Sequence, residues 1–229
     1  MSTVLVAIDT STRWAGVAAL VEGHAPLERV WRSERNHGTE LMPALVEVLA
    51  RAGASAADIT HVAVALGPGA FSALRVGIST AAGLALAKDL PAVGVSTFDL
   101  EAGPYLDHAG PESPVFALIP SSRSELAWAG YAGRGEPSHS GLATPAAFAA
   151  GAIPGALFCG EGAQEMAGLV DPSRILSGAP PTRSPLALAR IAQQMFESGA
   201  GVAGAVLRPM YGRQPSITML KGFDDPAQV

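Results

Sequence analysis

The chain has 229 residues, enough for one large domain or two small ones around a substantial core. With 48% hydrophobic and only 15% charged residues, global disorder is excluded. A formal net charge of −5 argues against the chain gripping nucleic-acid phosphates by itself.

Residues 4–8 are a short apolar run that ends at Asp9-Thr10-Ser11-Thr12, and 15–21 and 27–31 are two more with tight links. Runs of this length bounded by turn residues predict strands, and three in succession predict an antiparallel meander. The loop Asp9, Thr10, Ser11, Thr12 puts one carboxylate among three hydroxyls. Such a loop suits a phosphate: hydroxyls and backbone N–H groups donate, and Asp9 can hold a metal through water. The alternative is an Asx turn that satisfies its own backbone. Arg29, Arg32 and Arg35 follow in one short segment, read as a solvated edge-strand face.

Over residues 38–52, Leu41, Leu45, Val48, Leu49 and Ala52 recur at helical spacing, with Thr39 as the expected N-cap and Gly53 ending the helix. None of His24, His37, His61, His108 and His139 has a second histidine three or four residues on, so no sequence-local metal site is expected. Residues 61–66 predict a buried strand, followed by the turn Gly67-Pro68-Gly69 and a helix over 72–88. Arg75 falls in that helix's first turn, where the macrodipole disfavours a cation, so a carboxylate, an anion or a partner is expected beside it. Gly77 and Gly83 in the helix interior each cost about 1 kcal/mol against alanine. Either another backbone comes close there, or the helix packs tightly on its own sheet. With a strand at 91–95 the order becomes β-β-β-α-β-α-β, a mixed sheet with helices on its faces.

The second half repeats the start of this plan more weakly. Strands are expected at 115–119, 125–131, 156–159 and 173–176, and helices at 144–150 and 161–170. Ser184 and Pro185 open the clearest late helix, an N-cap and N1 pair followed by Leu188, Ile191, Ala192, Met195 and Phe196 up to Gly199. The Pro/Gly-rich stretch 103–114 resembles a linker. The expected division is 1–103, 104–221 and a mobile tail at 222–229.

Catalytic signatures are fragmentary. There is no Gly-x-Ser-x-Gly elbow, and Gly67-Pro68-Gly69 lacks the Lys-Ser/Thr of a P-loop. Ser72 stands where a dinucleotide-binding turn would have its third glycine. Cys159, the single cysteine, reads as a buried strand-end residue and fits a reducing cytoplasm. No apolar run reaches membrane-spanning length, and the N-terminus lacks a basic n-region, so neither a membrane span nor a secretory signal is expected.

Three segments together carry a resemblance. They are residues 4–12 with Asp9-Thr10-Ser11-Thr12, residues 36–43 with Asn36-His37-Gly38-Thr39-Glu40-Leu41-Met42-Pro43, and Gly67-Pro68-Gly69-Ala70-Phe71-Ser72-Ala73-Leu74-Arg75-Val76-Gly77. These resemble the TsaB (YeaZ) family, closest over about the first hundred residues. The resemblance implies an actin/heat-shock-chaperone/sugar-kinase-like (ASKHA) α/β fold of two ribonuclease-H-like subdomains, the second degenerate. It also implies a non-catalytic scaffold subunit that activates the TsaD-type transferase making threonylcarbamoyladenosine at adenosine 37 of ANN-decoding tRNAs. The catalytic relative's His-x-x-x-His pair is missing here. Cys159-Gly160-Glu161-Gly162-Ala163 is similar to the family's Gly-Asp-Gly-Ala segment. At the second-domain opening, Arg123 and Glu125 match the family pattern while Ser121 replaces its Asp.

From that resemblance the expected partner or dimer interface is His37, Leu41, Leu45, Phe71, Leu74, Arg75, Gly77, Ile78, Ala81 and Ala82. Asp9, Thr10, Ser11 and Thr12 become a vestigial nucleotide loop, with no metal and no catalytic residue. The implied partners are the TsaD-type paralogue, a TsaE-type ATPase and a second copy in a homodimer, with tRNA met only through the complex. No cofactor of its own is expected, although ATP or ADP could sit at the interface. The alternatives are an ATP-binding phosphotransferase or ATPase using Asp9, and a glycoprotease-like metallopeptidase.

Overall fold

The computed structural model describes residues 2–121, 124–203 and 207–211. The meander forms as its pattern requires: β1 (Val4–Asp9), β2 (Trp14–Val21) and β3 (Leu27–Arg32) pair antiparallel in sequence, Val6 facing Ala19 and Val17 facing Arg29. α1 (His37–Arg51) then crosses to β4 (His61–Gly67), which runs parallel to β1, and α2 (Phe71–Lys88) crosses to β5 (Pro91–Ser96), parallel to β4. The sheet order is β10-β5-β4-β1-β2-β3.

Period-two alternation divides β1 between two cores. Val4, Val6 and Ile8 face α1 and α2, where Leu41, Leu45, Val48, Leu49, Leu74, Ile78 and Ala81 close the layer. Leu5 and Ala7 face the other way, against Leu188, Ala189 and Ala192 of α5 (Pro185–Glu197). The division at residue 103 therefore needs correcting. α5 and the strand β10 (Val202–Ala203), both placed with the second half by sequence, complete the first sheet. The 222–229 tail lies outside the described residues.

The second sheet has the order β8-β7-β6-β9, from β6 (Val115–Pro120), β7 (Leu126–Tyr131), β8 (His139–Ala143) and β9 (Leu157–Cys159). One face takes Phe98 and Ala102 of α3 (Thr97–Ala102), while Leu100 of the same helix packs on the first sheet. α3 is thus the joint between the layers. The opposite face holds Phe116, Trp128 and Phe158 against Phe148 of α4 (Pro145–Gly151).

Local expectations fail at several places. Asn36, not Thr39, is the N-cap residue of α1. The helix expected over 161–170 is a 3-10 turn at Glu161–Met166, and the strand expected at 173–176 is a 3-10 turn at Pro172–Arg174 plus a single bridge from Ile175 to Phe158. Part of the expected linker is a 3-10 turn, Gly103–His108. Among the described residues no helix is long and apolar enough to cross a membrane.

Candidate functional site

The Asp9–Thr12 loop leaves β1 at the carboxyl edge of the sheet, where open α/β sheets place their ligands. Here every side chain of the loop already has an internal partner. Asp9 Oδ1 accepts from the Ser11 amide at 2.8 Å and from the Ser11 hydroxyl, which is the Asx-turn alternative. Thr10 Oγ1 donates to the Ala73 carbonyl at 2.7 Å and accepts from the Gly77 amide at 3.1 Å. Thr12 Oγ1 donates to Glu161 Oε1 at 2.6 Å.

The remaining Asp9 oxygen meets a buried cation that the sequence reading did not single out. Arg183 Nε lies 2.9 Å from Asp9 Oδ2, Nη1 is 2.7 Å from Glu101 Oε1 and 3.0 Å from Glu161 Oε1, and Nη2 donates to Thr12 Oγ1 at 2.8 Å. Its side chain is 3% exposed. One guanidinium thereby joins the first sheet's loop, the joint helix α3, the turn after β9 and the segment before α5. Burial disfavours its charge, but Asp9, Glu101 and Glu161 overcome this and hold it firmly protonated. The planar five-donor fork suits this position because it serves three acceptor directions at once.

The cluster carries three carboxylates against one cation. Glu101 Oε1 accepts from Arg183, from Thr182 Oγ1 at 2.8 Å and from the Glu161 amide at 3.3 Å, while Oε2 has no hydrogen-bond partner among the described residues. Burial raises the Glu101 carboxyl above its ordinary 4.5, with Arg183 opposing the shift. A raised acid favours the folded state most when protonated. Its contribution is complete below the unfolded value and is lost as pH rises through the folded one. The difference in stability between the native chain and Glu101→Gln should therefore shift in favour of the variant as pH rises from about 4.5 toward neutrality. Thermal unfolding of both proteins across that range checks it, and a pH-independent difference rules it out.

The expected interface set divides once placed. Leu41, Leu45, Leu74, Ile78 and Ala81 are at most 6% exposed and belong to the chain's own core. His37 is also buried, its Nε2–H donating to the Thr12 carbonyl at 2.9 Å. Gly77 is small for an internal reason: a Cβ there would lie 2.4 Å from Thr10 Oγ1. What comes close to α2 at Gly77 is therefore the Thr10 side chain just after β1, not another backbone, and these seven residues lie in the chain's own core rather than on an open docking surface. Phe71 and Arg75 remain exposed, and Ala82 is half-buried. Among the described residues Arg75 meets no carboxylate. Its guanidinium sits 4.0 Å over the Phe71 ring and donates to the Tyr211 hydroxyl at 3.2 Å, while Tyr211 stacks on Phe71.

The outer face of the two helices carries Phe71 of the expected set together with residues outside it. Met42, Val46, Phe71 and Leu86 are 39%, 52%, 41% and 73% exposed, and a Cβ on Gly83 would meet nothing within 4 Å. Ser121 is exposed and its amide donates to the Glu125 carbonyl at 2.9 Å; Arg123 lies outside the described residues. Cys159 is buried, and burial raises its thiol. Among the described residues no group of three or more His, Cys, Asp or Glu is arranged to hold a metal ion.

A sequence signal for Arg183 exists. It lies beside the Ser184 N-cap of α5 in a chain poor in charge, the same dipole conflict that drew attention to Arg75.

The family model described as TsaD, tRNA N6-adenosine threonylcarbamoyltransferase, matches residues 31–149. The TsaB protein of Escherichia coli, named for tRNA threonylcarbamoyladenosine biosynthesis, is 35% identical over 130 residues, 56% of this chain and 54% of that protein. The Bacillus subtilis protein of the same name is 32% identical over 112 residues, 49% of each chain. The match thus spans about half the length of these curated relatives. The solved structure of YeaZ from Pseudomonas aeruginosa superposes with a TM-score of 0.76 at 26% identity, covering 91% of this chain and 99% of that one. The two mixed α/β layers are the ASKHA-like arrangement expected from the resemblance. On the family-model match and this whole-chain likeness, the chain belongs to the TsaB/YeaZ family.

Proposed function

We propose that this chain is a non-catalytic subunit in the synthesis of tRNA threonylcarbamoyladenosine, docking on and activating a TsaD-type catalytic paralogue. The observation that carries the reading is the outer face of α1 and α2. Of the seven large hydrophobic residues exposed among those described, four (Met42, Val46, Phe71 and Leu86) lie on these two helices. A concentration of apolar side chains on one pair of helices is the mark of a docking surface. Gly83, open to solvent at the same helix, gives a second helix room to approach. The names of the TsaB relatives and of the matching family model support the pathway.

The cleft supports a non-catalytic role. Arg183 already occupies the carboxylate cage at Asp9, and the loop hydroxyls are spent on internal bonds. This weighs against an ATPase or phosphotransferase working through Asp9. In the same reading the helical face also pairs with a second copy, so homodimer and heterodimer compete. A TsaE-type ATPase and tRNA join only through the complex, and any ATP or ADP sits at the interface with the paralogue.

The test is co-expression with the TsaD-type paralogue, co-purification, and an assay of modified adenosine in tRNA with and without this chain. A stable heterodimer and modification that depends on it are expected. Equal modification in the absence of this chain rejects the activating role.

A further inference from the structure

At the edge of the first sheet opposite the Asp9–Thr12 loop, Leu20 of β2, Leu5 of β1 and His61 of β4 stand in register as one row across adjacent strands. The row lies on the face that α5 covers. α5 stops at Glu197, and Phe196 in its last turn reaches the row, its ring meeting the His61 ring edge to face with centroids 4.7 Å apart. The space left beside them is a cavity of about 520 Å³, the size of a small-molecule pocket.

The floor of this cavity is apolar and its charged rim is of one sign. Glu22, just past β2, and Glu197 line it, and among the described residues no lysine or arginine does. Both carboxylates are held by neutral donors: Glu22 Oε2 accepts from the Thr3 amide at 3.0 Å, and Glu197 Oε1 from Gln193 Nε2 at 3.0 Å. Neither makes an ion pair among the described residues. Burial holds the His61 imidazole below its ordinary 6.5, so it is uncharged near neutral pH and opposes no cation. The helix end adds an independent sign. α1 and α2 finish on Arg51 and Lys88, cations that complement the macrodipole, whereas the last turn of α5 has no basic residue and carries Glu197 instead. A carboxylate there is unfavourable unless a cation from outside joins it.

We propose that this cavity binds an organic cation with an apolar stem, an alkylammonium or alkylguanidinium, the stem lying on Leu5, Leu20 and Phe196 and the head meeting Glu22 and Glu197. The site goes beyond the subunit role. It lies on the α5 face of the sheet, while docking uses the outer side of α1 and α2 on the other face, so the two can be filled together.

The test is titration of the full chain at low salt with n-butylammonium, n-butylguanidinium and neutral n-butanol, followed by the amide chemical shifts of Val21, Glu22 and Glu197. Both cations should bind and move these amides, with n-butanol about tenfold weaker. Glu22→Gln and Glu197→Gln each keep an acceptor for Thr3 and Gln193, so the unfolding transition should stay in place while cation affinity falls roughly threefold. Glu112→Gln, a carboxylate outside the cavity, should leave the affinity as it was. A capped arginine that binds more tightly than n-butylguanidinium assigns the cation to a polypeptide side chain; equal or weaker binding assigns it to a free amine. Butanol binding as tightly as the cations overturns the proposal, because the cavity is then merely apolar. Absence of shifts with both cations at roughly 50 mM overturns it too, as does an affinity indifferent to both glutamine variants.

Discussion

Arg183→Met should lower stability by about 3–5 kcal/mol, because it removes the cation that, among the described residues, alone pairs with a buried group of three carboxylates, while keeping similar bulk. For a chain of this size that corresponds to a fall in Tm of roughly 10 °C or more. The size follows from what is left behind. Asp9 and Glu101 are 4% and 1% exposed and cannot recover the lost interaction from water. Arg183→Lys should fall between the two proteins, since one ammonium cannot reach Asp9, Thr12 and Glu101 with the fork geometry of a guanidinium. Thermal unfolding by circular dichroism decides the matter, and a loss below about 1 kcal/mol for the methionine variant shows the cluster to be dispensable.

The same cluster explains what sequence could and could not reveal. The meander and its two crossovers were legible because each strand is a short apolar run between turn residues and α1 carries one clear stripe, Leu41, Leu45, Val48 and Leu49. α3 was missed because its six residues serve two layers. Phe98 faces the second sheet and Leu100 the first, so no single-face periodicity appears. β8 (His139–Ala143) contains Ser140 and Gly141 and shows no apolar alternation, so only pairing with β7 makes it a strand. The carboxylate cage was invisible for a related reason: Asp9, Glu101, Glu161 and Arg183 are far apart in sequence, and each alone is an ordinary charge.

Docking residues were misjudged by a different route. The small residues on α2 suggest room for a partner helix, yet Gly77 is small because the Thr10 hydroxyl fills the space, and Ala81 is fully buried against the sheet. A motif marks positions that tolerate little change. It does not say which side of the helix imposes the constraint. Gly83 and Leu86, one turn later and less conspicuous, are the pair that faces outward.

One substitution placed on each side of α2 separates these two readings. Ala81→Arg puts a long cation into a position with no exposed surface, combining overpacking with an unpaired buried charge, and should cost more than about 3 kcal/mol. It should yield a poorly folded protein, seen as a lost or much lowered unfolding transition. Leu86→Arg combined with Val46→Arg changes side chains already 73% and 52% exposed, so Tm should shift by no more than a few degrees. The same double variant should lose co-purification with the TsaD-type paralogue, because two desolvated arginines would lie within an apolar contact. Size-exclusion chromatography with light scattering reads both complexes, homodimer and heterodimer. If the double variant keeps its heterodimer while Ala81→Arg unfolds, α2 is only a core helix and the docking surface lies elsewhere. If Ala81→Arg instead stays folded and monomeric, the helix is rotated relative to the packing described, and the small-residue side faces the partner after all.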